Sequence, residues 1–211
     1  MKYLGLLGLN FLFTFGAFAM PPAKQTKKMK QALIIIDVQN DYFQGGKMEL
    51  VGAEQAADHV QQILAKSREK KVPVIHIQHI ATDPAASFFL PDSKGVEIND
   101  RVKPFPAEKL IIKHYPNSFR ETDLLKYLKD NGITHLTIVG MMTHVCIDAT
   151  VKAAKDFGFE CTVIADACAT RDLEVKGATV TAENVQTALM GALGFYYSTI
   201  MTTKEFLNQN K

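Results

Sequence analysis

Apolar residues along this chain come in two patterns, and the two alternate. Ala32–Asp37 (ALIIID) is an unbroken apolar run ending in a carboxylate. Continuous runs of this kind, rather than alternating ones, mark strands buried on both faces of a parallel sheet. Val72–Gln78, Leu110–Lys113, Leu136–Gly140, Cys161–Asp166 and Thr199–Thr202 read as further strands. Between them the period changes to that of a helix. In Gly52–Lys71, Ala56, Val60, Ile63 and Leu64 fall on one face, and Lys66, Arg68, Glu69 and Lys70 close the segment. Thr122–Asn131 reads as a helix capped by Thr122 and stopped by Gly132, Thr143–Phe157 as one ended by Gly158, and Val180–Leu193 as one ended by Gly194. Ala81–Lys109 carries Pro84, Pro91, Pro104 and Pro106 without a strong period, and a loop of that length inside a compact domain is usually functional. Strands alternating with helices predict an α/β domain with a mainly parallel sheet and right-handed crossovers.

In an open parallel sheet, ligands bind beyond the carboxyl ends of the strands. That rule selects Asp37 at the end of the first strand, Lys113 at the end of the third, and Cys146 in the helix entered through Gly140 from the fourth. Acid, base and thiol on one rim suit nucleophilic catalysis: a thiol to attack, a carboxylate to take its proton, an ammonium to hold the charges. Each residue also has a plainer reading: Asp37 as a loop cap, Lys113 as a solvated strand end, Cys146 as helix packing. Two features set Cys146 apart. It falls in the first turn of a helix, where the macrodipole favours an anion and lowers a thiol pKa. Gly140-Met141-Met142-Thr143 before it forms a tight turn whose N–H groups can face a developing oxyanion. Ile111-Ile112 reads as buried, which brings Lys113 out at the rim.

Composition narrows the class. The chain has 211 residues, 47% hydrophobic and 22% charged, enough apolar surface to exclude disorder for its bulk. Three cysteines exclude a disulfide scaffold. The net charge is +2, but Lys2, Lys24, Lys27, Lys28 and Lys30 precede Gln31 and no acid does. Gln31–Lys211 therefore holds 19 basic and 22 acidic residues, a net of −3, which argues against a nucleic-acid-binding face. Residues 1–19 place one lysine before 17 uncharged residues ending in Ala17-Phe18-Ala19, the layout of a cleaved secretory signal. A retained membrane anchor and a buried helix are the competing readings. Gly5, Gly8, Asn10 and Gly16 interrupt the run, which is also short of the roughly 20 residues a span needs. Residues 20–30 read as a lysine-rich linker and 31–211 as the folded domain. The expected location is secreted or periplasmic; Met29 offers a start for a cytoplasmic form.

Three blocks carry a family resemblance: IIIDVQNDYF (Ile34–Phe43), IIKHYPNSF (Ile111–Phe119) and VGMMTHVCIDATVKAAKDFGFECTVIADACAT (Val139–Thr170). Together they resemble the isochorismatase-like cysteine hydrolases, over about Gln31 to Phe206. The resemblance implies a three-layer α/β/α sandwich on a six-stranded sheet. It implies an Asp37–Lys113–Cys146 triad, a cis peptide between Met141 and Met142, and an oxyanion hole made by the N–H groups of Met142 and Cys146. A homo-oligomer with a site near a subunit interface is implied too. The activity implied is hydrolysis of a small amide or imide, with a small molecule as substrate; no cofactor is expected, and no stable membrane anchor once the signal is cleaved. The alternatives are an isochorismatase-type vinyl ether hydrolase, a nicotinamidase, or a non-catalytic ligand-binding or redox-sensing protein.

Metal-binding nicotinamidases of that family carry an Asp-x-His pair after the second strand. Here Asp83 is followed by Pro84 and Ala85, so the pair is missing, and His76 and His79 at i, i+3 on a strand point to opposite faces, a poor chelating geometry. No catalytic metal is expected. Phe43, Tyr115, Phe119 and His144 follow the rim residues and are candidates to line the pocket; loop packing for the phenylalanines and a helix-cap role for His144 compete. Cys161 and Cys168 bracket the fifth strand too far apart to bond. Cys168, read as lying past the strand end, is a candidate disulfide partner for Cys146.

Overall fold

The computed structural model describes residues 29–209. The proposed signal and most of the linker lie outside the described residues. Lys30 is already tied to the domain. Its carbonyl accepts from the N–H groups of Thr134 and His135, and its Nζ donates to the Asn131 carbonyl at 2.7 Å.

The elements in chain order are β1 (Gln31–Ile36), α1 (Ala53–Glu69), β2 (Val74–His79), β3 (Lys109–Lys113), α2 (Leu124–Asp130), β4 (His135–Met141), α3 (Asp148–Asp156), β5 (Glu160–Ala169), β6 (Leu173–Val175), β7 (Ala178–Val180), α4 (Ala182–Tyr196), β8 (Thr199–Met201) and α5 (Thr203–Gln209). Six strands form one parallel sheet in the order β3-β2-β1-β4-β5-β8.

The runs predict this because β1 alternates its apolar residues between two cores. Leu33 and Ile35 pack with Ala57, Val60, Ile63 and Leu64 of α1. Ala32, Ile34 and Ile36 pack with Leu124 and Leu128 of α2, Val151 and Ala154 of α3, and Leu193 of α4. Phe206 of α5 joins the α1 side. The domain is a three-layer α/β/α sandwich, as expected.

Several boundaries differ from the predicted ones. The Thr143–Phe157 helix is two pieces, a π-helical turn over Thr143–Ile147 followed by α3. Helix α2 starts two residues later than Thr122, whose Oγ1 still accepts from the Leu124 N–H at 3.3 Å. Helix α4 starts after Val180, because the Thr181 hydroxyl caps it by accepting from the Asn184 N–H, and it runs through Gly194 to Tyr196. Gly194 sits inside the helix where a Cβ would press on the Ile200 side chain at 3.0 Å. Strand β5 extends to Ala169, so Cys168 lies within it, opposite Gly140. Ile112 is 38% exposed on edge strand β3, while Lys113 is wholly buried.

Candidate active site

The rim of the sheet gathers the site. Asp37 directly follows β1 with φ of 51°, a left-handed conformation that Asp tolerates better than most residues and that recurs at functional sites. Its N–H donates to the Ile77 carbonyl, which anchors it to β2. Lys113 is the last residue of β3. Cys146 lies in the π turn after β4, and the Met141–Met142 peptide entering that turn is cis. Gly140 makes the approach possible: at φ of 123° it lies so close to β1 that a Cβ would run into the Ile36 carbonyl.

The three side chains meet below the surface. Lys113 Nζ lies 2.7 Å from Asp37 Oδ2 and 3.3 Å from Cys146 Sγ, and it donates to the Tyr115 carbonyl at 3.1 Å. Asp37 and Lys113 have no exposed surface and Cys146 has 4%. Asp37 is spared loop duty because its neighbours take it. Asp41 accepts from the N–H groups of Lys47 and Phe89, and Asn40 holds Lys94 and Asn99.

Burial governs the protonation states. It raises the Asp37 carboxyl above the usual range, against the pull of Lys113. Burial opposes the Lys113 charge, but Asp37 and Cys146 outweigh it and hold the ammonium above an ordinary lysine. The Cys146 thiol is pushed up by burial and by the Asp37 carboxylate, with Lys113 countering only in part. The predicted helix-terminal lowering of this thiol is therefore overturned: loss of hydration outweighs the partial charge of a helix end. Burial thus favours the neutral thiol and raises the proton affinity of the Asp37 carboxyl, while its neighbours favour the Lys113 ammonium. Burial likewise pushes Cys161 and Cys168 up to about 12. All three cysteines are free, so the Cys146–Cys168 bond is not made.

The predicted pocket residues divide. Tyr115 lines a cavity of about 240 Å³ with His79, Phe88, Phe89 and His114. His144 lines one of about 410 Å³ with Met142, Phe88 and Arg171, its Nδ1 lying 2.6 Å from Thr170 Oγ1. Phe88 is common to both. Phe43 and Phe119 are instead packing residues. Phe43 is 6% exposed within the α1-side core. Phe119 sits edge-on to Phe157 at 5.2 Å and stacks over Phe159 at 6.3 Å, in the opposite core.

His76 and His79 do face opposite ways. His76 turns to Glu108, and His79 Nδ1 lies 2.9 Å from Lys113 Nζ. His79 is the residue that sequence reasoning missed: the predicted second strand stops at Gln78, one residue short of the observed end of β2, where the strand-end rule selects His79. Asp37, His79 and Cys146 each bring one ligand-type atom within 4.8 Å of the others, but the Lys113 ammonium stands among them, where a bound cation would have to sit. Gln186 of α4 went unnoticed too. Its Oε1 takes the Thr143 hydroxyl at 2.7 Å and its Nε2 donates to the Ala165 carbonyl, pinning the π turn to β5.

This rim can be set beside known proteins. Residues 31–202 match the isochorismatase domain model. The isochorismatase family protein YddQ of Bacillus subtilis, itself uncharacterized, is 46% identical over 85% of this chain and 99% of its own. The solved structure of an isochorismatase hydrolase from Oleispira antarctica superposes with a TM-score of 0.82 at 48% identity, covering 87% of this chain and 98% of that one. N-carbamoylsarcosine amidase of an Arthrobacter species is 30% identical over 62% of this chain and 56% of its own. An apolar parallel sheet, an acid–ammonium–thiol rim and a match that spans nearly all of the described residues lead to one assignment: the chain belongs to the isochorismatase family and is a hydrolase.

Proposed function

We propose that this hydrolase cleaves a small non-peptide amide or imide, with Cys146 as nucleophile, Asp37 as proton carrier and Lys113 as fixed counter-charge. The observation that carries this reading is the buried ammonium 2.7 Å from the carboxylate and 3.3 Å from the sulfur. The likeness to an amidase supports the bond type.

Asp37 takes the proton of the Cys146 thiol, and the raised proton affinity of the carboxylate favours that transfer. The sulfur attacks the carbonyl carbon, and the oxyanion takes hydrogen bonds from the Met142 and Cys146 N–H groups. Protonated Asp37 then gives its proton to the departing nitrogen, which leaves as the amine and yields a thioester. Asp37 next takes a proton from water, whose oxygen attacks the thioester carbonyl. Collapse releases the acid, and the sulfur recovers its proton from Asp37. Lys113 stays charged throughout, so each anion forms beside a cation rather than alone in a low-dielectric site. The cycle needs no metal, and Lys113 supplies the positive charge. Tyr115 and His144 serve as substrate contacts on the two cavities, one lined also by His79 and the other by Met142, that share Phe88.

The test is turnover of an amide and imide panel by wild type and Cys146→Ala. Loss of at least about a thousandfold in kcat is expected of a nucleophile, and undiminished turnover sinks the assignment. Hydrolysis of a vinyl ether that survives alkylation of Cys146 would move the reading to isochorismatase chemistry. Export is proposed on the layout of residues 1–19. It is tested by the amino-terminal sequence of the protein recovered outside the cytoplasm.

A further inference from the structure

Lys113 Nζ is ion-paired with Asp37 at 2.7 Å, and its three N–H bonds go to Cys146, the Tyr115 carbonyl and His79 Nδ1. The mechanism above uses the first two and leaves His79 unexplained. An ammonium only donates, so His79 Nδ1 must be the acceptor and the ring proton must sit on Nε2. His79 is also fixed from behind. The buried Gln39 side chain lies along its backbone as a further strand would. Its Nε2 donates to the His79 carbonyl at 2.9 Å, and its Oε1 accepts from the His79 N–H at 2.8 Å. The same Nε2 donates to the Val96 carbonyl at 2.7 Å, which ties this clip to the long loop. The Phe89 ring packs against the imidazole at 5.8 Å between centroids. A surface histidine at a strand end needs none of this.

We propose that His79 is a positioning residue of the active site. Held by Gln39, it accepts one N–H of Lys113 while the Tyr115 carbonyl accepts a second, and so sets the rotation of the ammonium, aiming the third N–H at Cys146 with Nζ kept beside Asp37. This rests on the proposed role of Cys146. The role requires a neutral imidazole, and the groups that face it supply the conditions. Burial, then the charges of Lys113 and His114, hold the ring down to about 3, so it stays neutral across the working range.

The experiment is alkylation of the whole protein by iodoacetamide between pH 6 and 10, followed at the Cys146 peptide by mass spectrometry. It needs no substrate. His79→Leu removes the acceptor. His79→Asn keeps an oxygen where Nδ1 stood. His79→Gln places its polar end at the Nε2 position instead, and stands in for His79→Leu if that variant does not fold. With the acceptor gone, the rate at pH 7.5 is expected to fall about tenfold, the scale of one hydrogen bond to a charged group, and the profile to move to higher pH. His79→Asn is expected to restore both. An unchanged profile in the acceptor-less variant overturns the proposal, and so does equal damage in the Asn variant, which marks plain packing. Failure of the nucleophile assignment looks different: Cys146→Ala would keep its turnover whatever His79 does.

Discussion

A lysine with no exposed surface keeps its charge only while something nearby answers it, and at Lys113 that something is Asp37. The dependence is mutual. Replacing Lys113 by Met leaves a buried carboxylate without a partner, a change that typically costs about 3–5 kcal/mol. The pH dependence has a definite sign. Burial raises the folded pKa of Asp37 above its unfolded value, and removal of Lys113 raises it further. The folded variant then binds a proton more tightly than the unfolded chain, so the deficit is largest at high pH and shrinks as pH falls. Urea unfolding of Lys113→Met at pH 5 and pH 8 checks this, with the greater loss expected at pH 8. Asp37 and Lys113 were legible in the sequence because each stands where an apolar run ends, and Cys146 because it falls in the turn that such a run feeds. The state of the thiol was not legible, since helix position is local whereas burial comes from strands far along the chain. His79 was passed over because it was weighed only as a metal ligand.

At the level of elements, two features carry more than their length suggests. Gly140 lets β4 lie against β1 just before the π turn, and its φ of 123° is open to little but glycine. Gly140→Ala should lose more than about 4 kcal/mol, the range of severe backbone and packing defects, read as insoluble expression or a collapsed melting temperature. The second is the join between α1, β2 and the long loop. Arg68 of α1 grips Glu108 through Nε and Nη2 at 2.7 and 2.8 Å, and Glu108 also meets His76 Nε2 at 2.9 Å and the Phe105 N–H. Burial lowers the His76 pKa below 6.5 despite Glu108. The folded state thus holds fewer His76 protons than the unfolded one, and stability falls as pH drops below about 6.5. Glu108, lowered to about 2 through Arg68, the Phe105 N–H and His76 against its desolvation, adds a further loss from about 4.5 downward. Urea midpoints measured from pH 7.5 to 5 should decline in wild type and flatten in His76→Leu. The sequence showed β2 and α1 clearly, but nothing in it pairs His76 with a glutamate beyond four prolines' worth of loop. The β6–β7 hairpin was missed for a different reason. Its strands are three residues long and mostly exposed, and only Lys176-Gly177, both at positive φ, signals the turn. Helix α5 does leave a local mark that went unread: Thr202 and Glu205 form a capping box, the Glu205 N–H donating to Thr202 Oγ1 at 3.2 Å and the Thr202 N–H to Glu205 Oε2 at 2.7 Å, while Asp166 holds Thr203 through both N–H and hydroxyl.

The molecule as a whole follows from the run pattern: a parallel sheet, two cores and one rim that gathers Asp37, Lys113 and Cys146 were all implied by where apolar stretches stop. Sheet order adds what a linear reading lacks. Strands β3, β2, β1 and β4 are consecutive neighbours, and each delivers one member of the set Lys113, His79, Asp37 and the Cys146 turn. No two of these residues belong to the same strand, so no partial sheet holds the full set. Parallel pairings of this kind close long loops and form slowly. Reactivity at Cys146 therefore doubles as a clock for folding. On dilution from urea, helix-sensitive circular dichroism should recover first. The pH profile of native alkylation should return only when the four central strands have come into register. A refolding intermediate with native helix content and an ordinary, solvent-exposed cysteine is the expected species on the way.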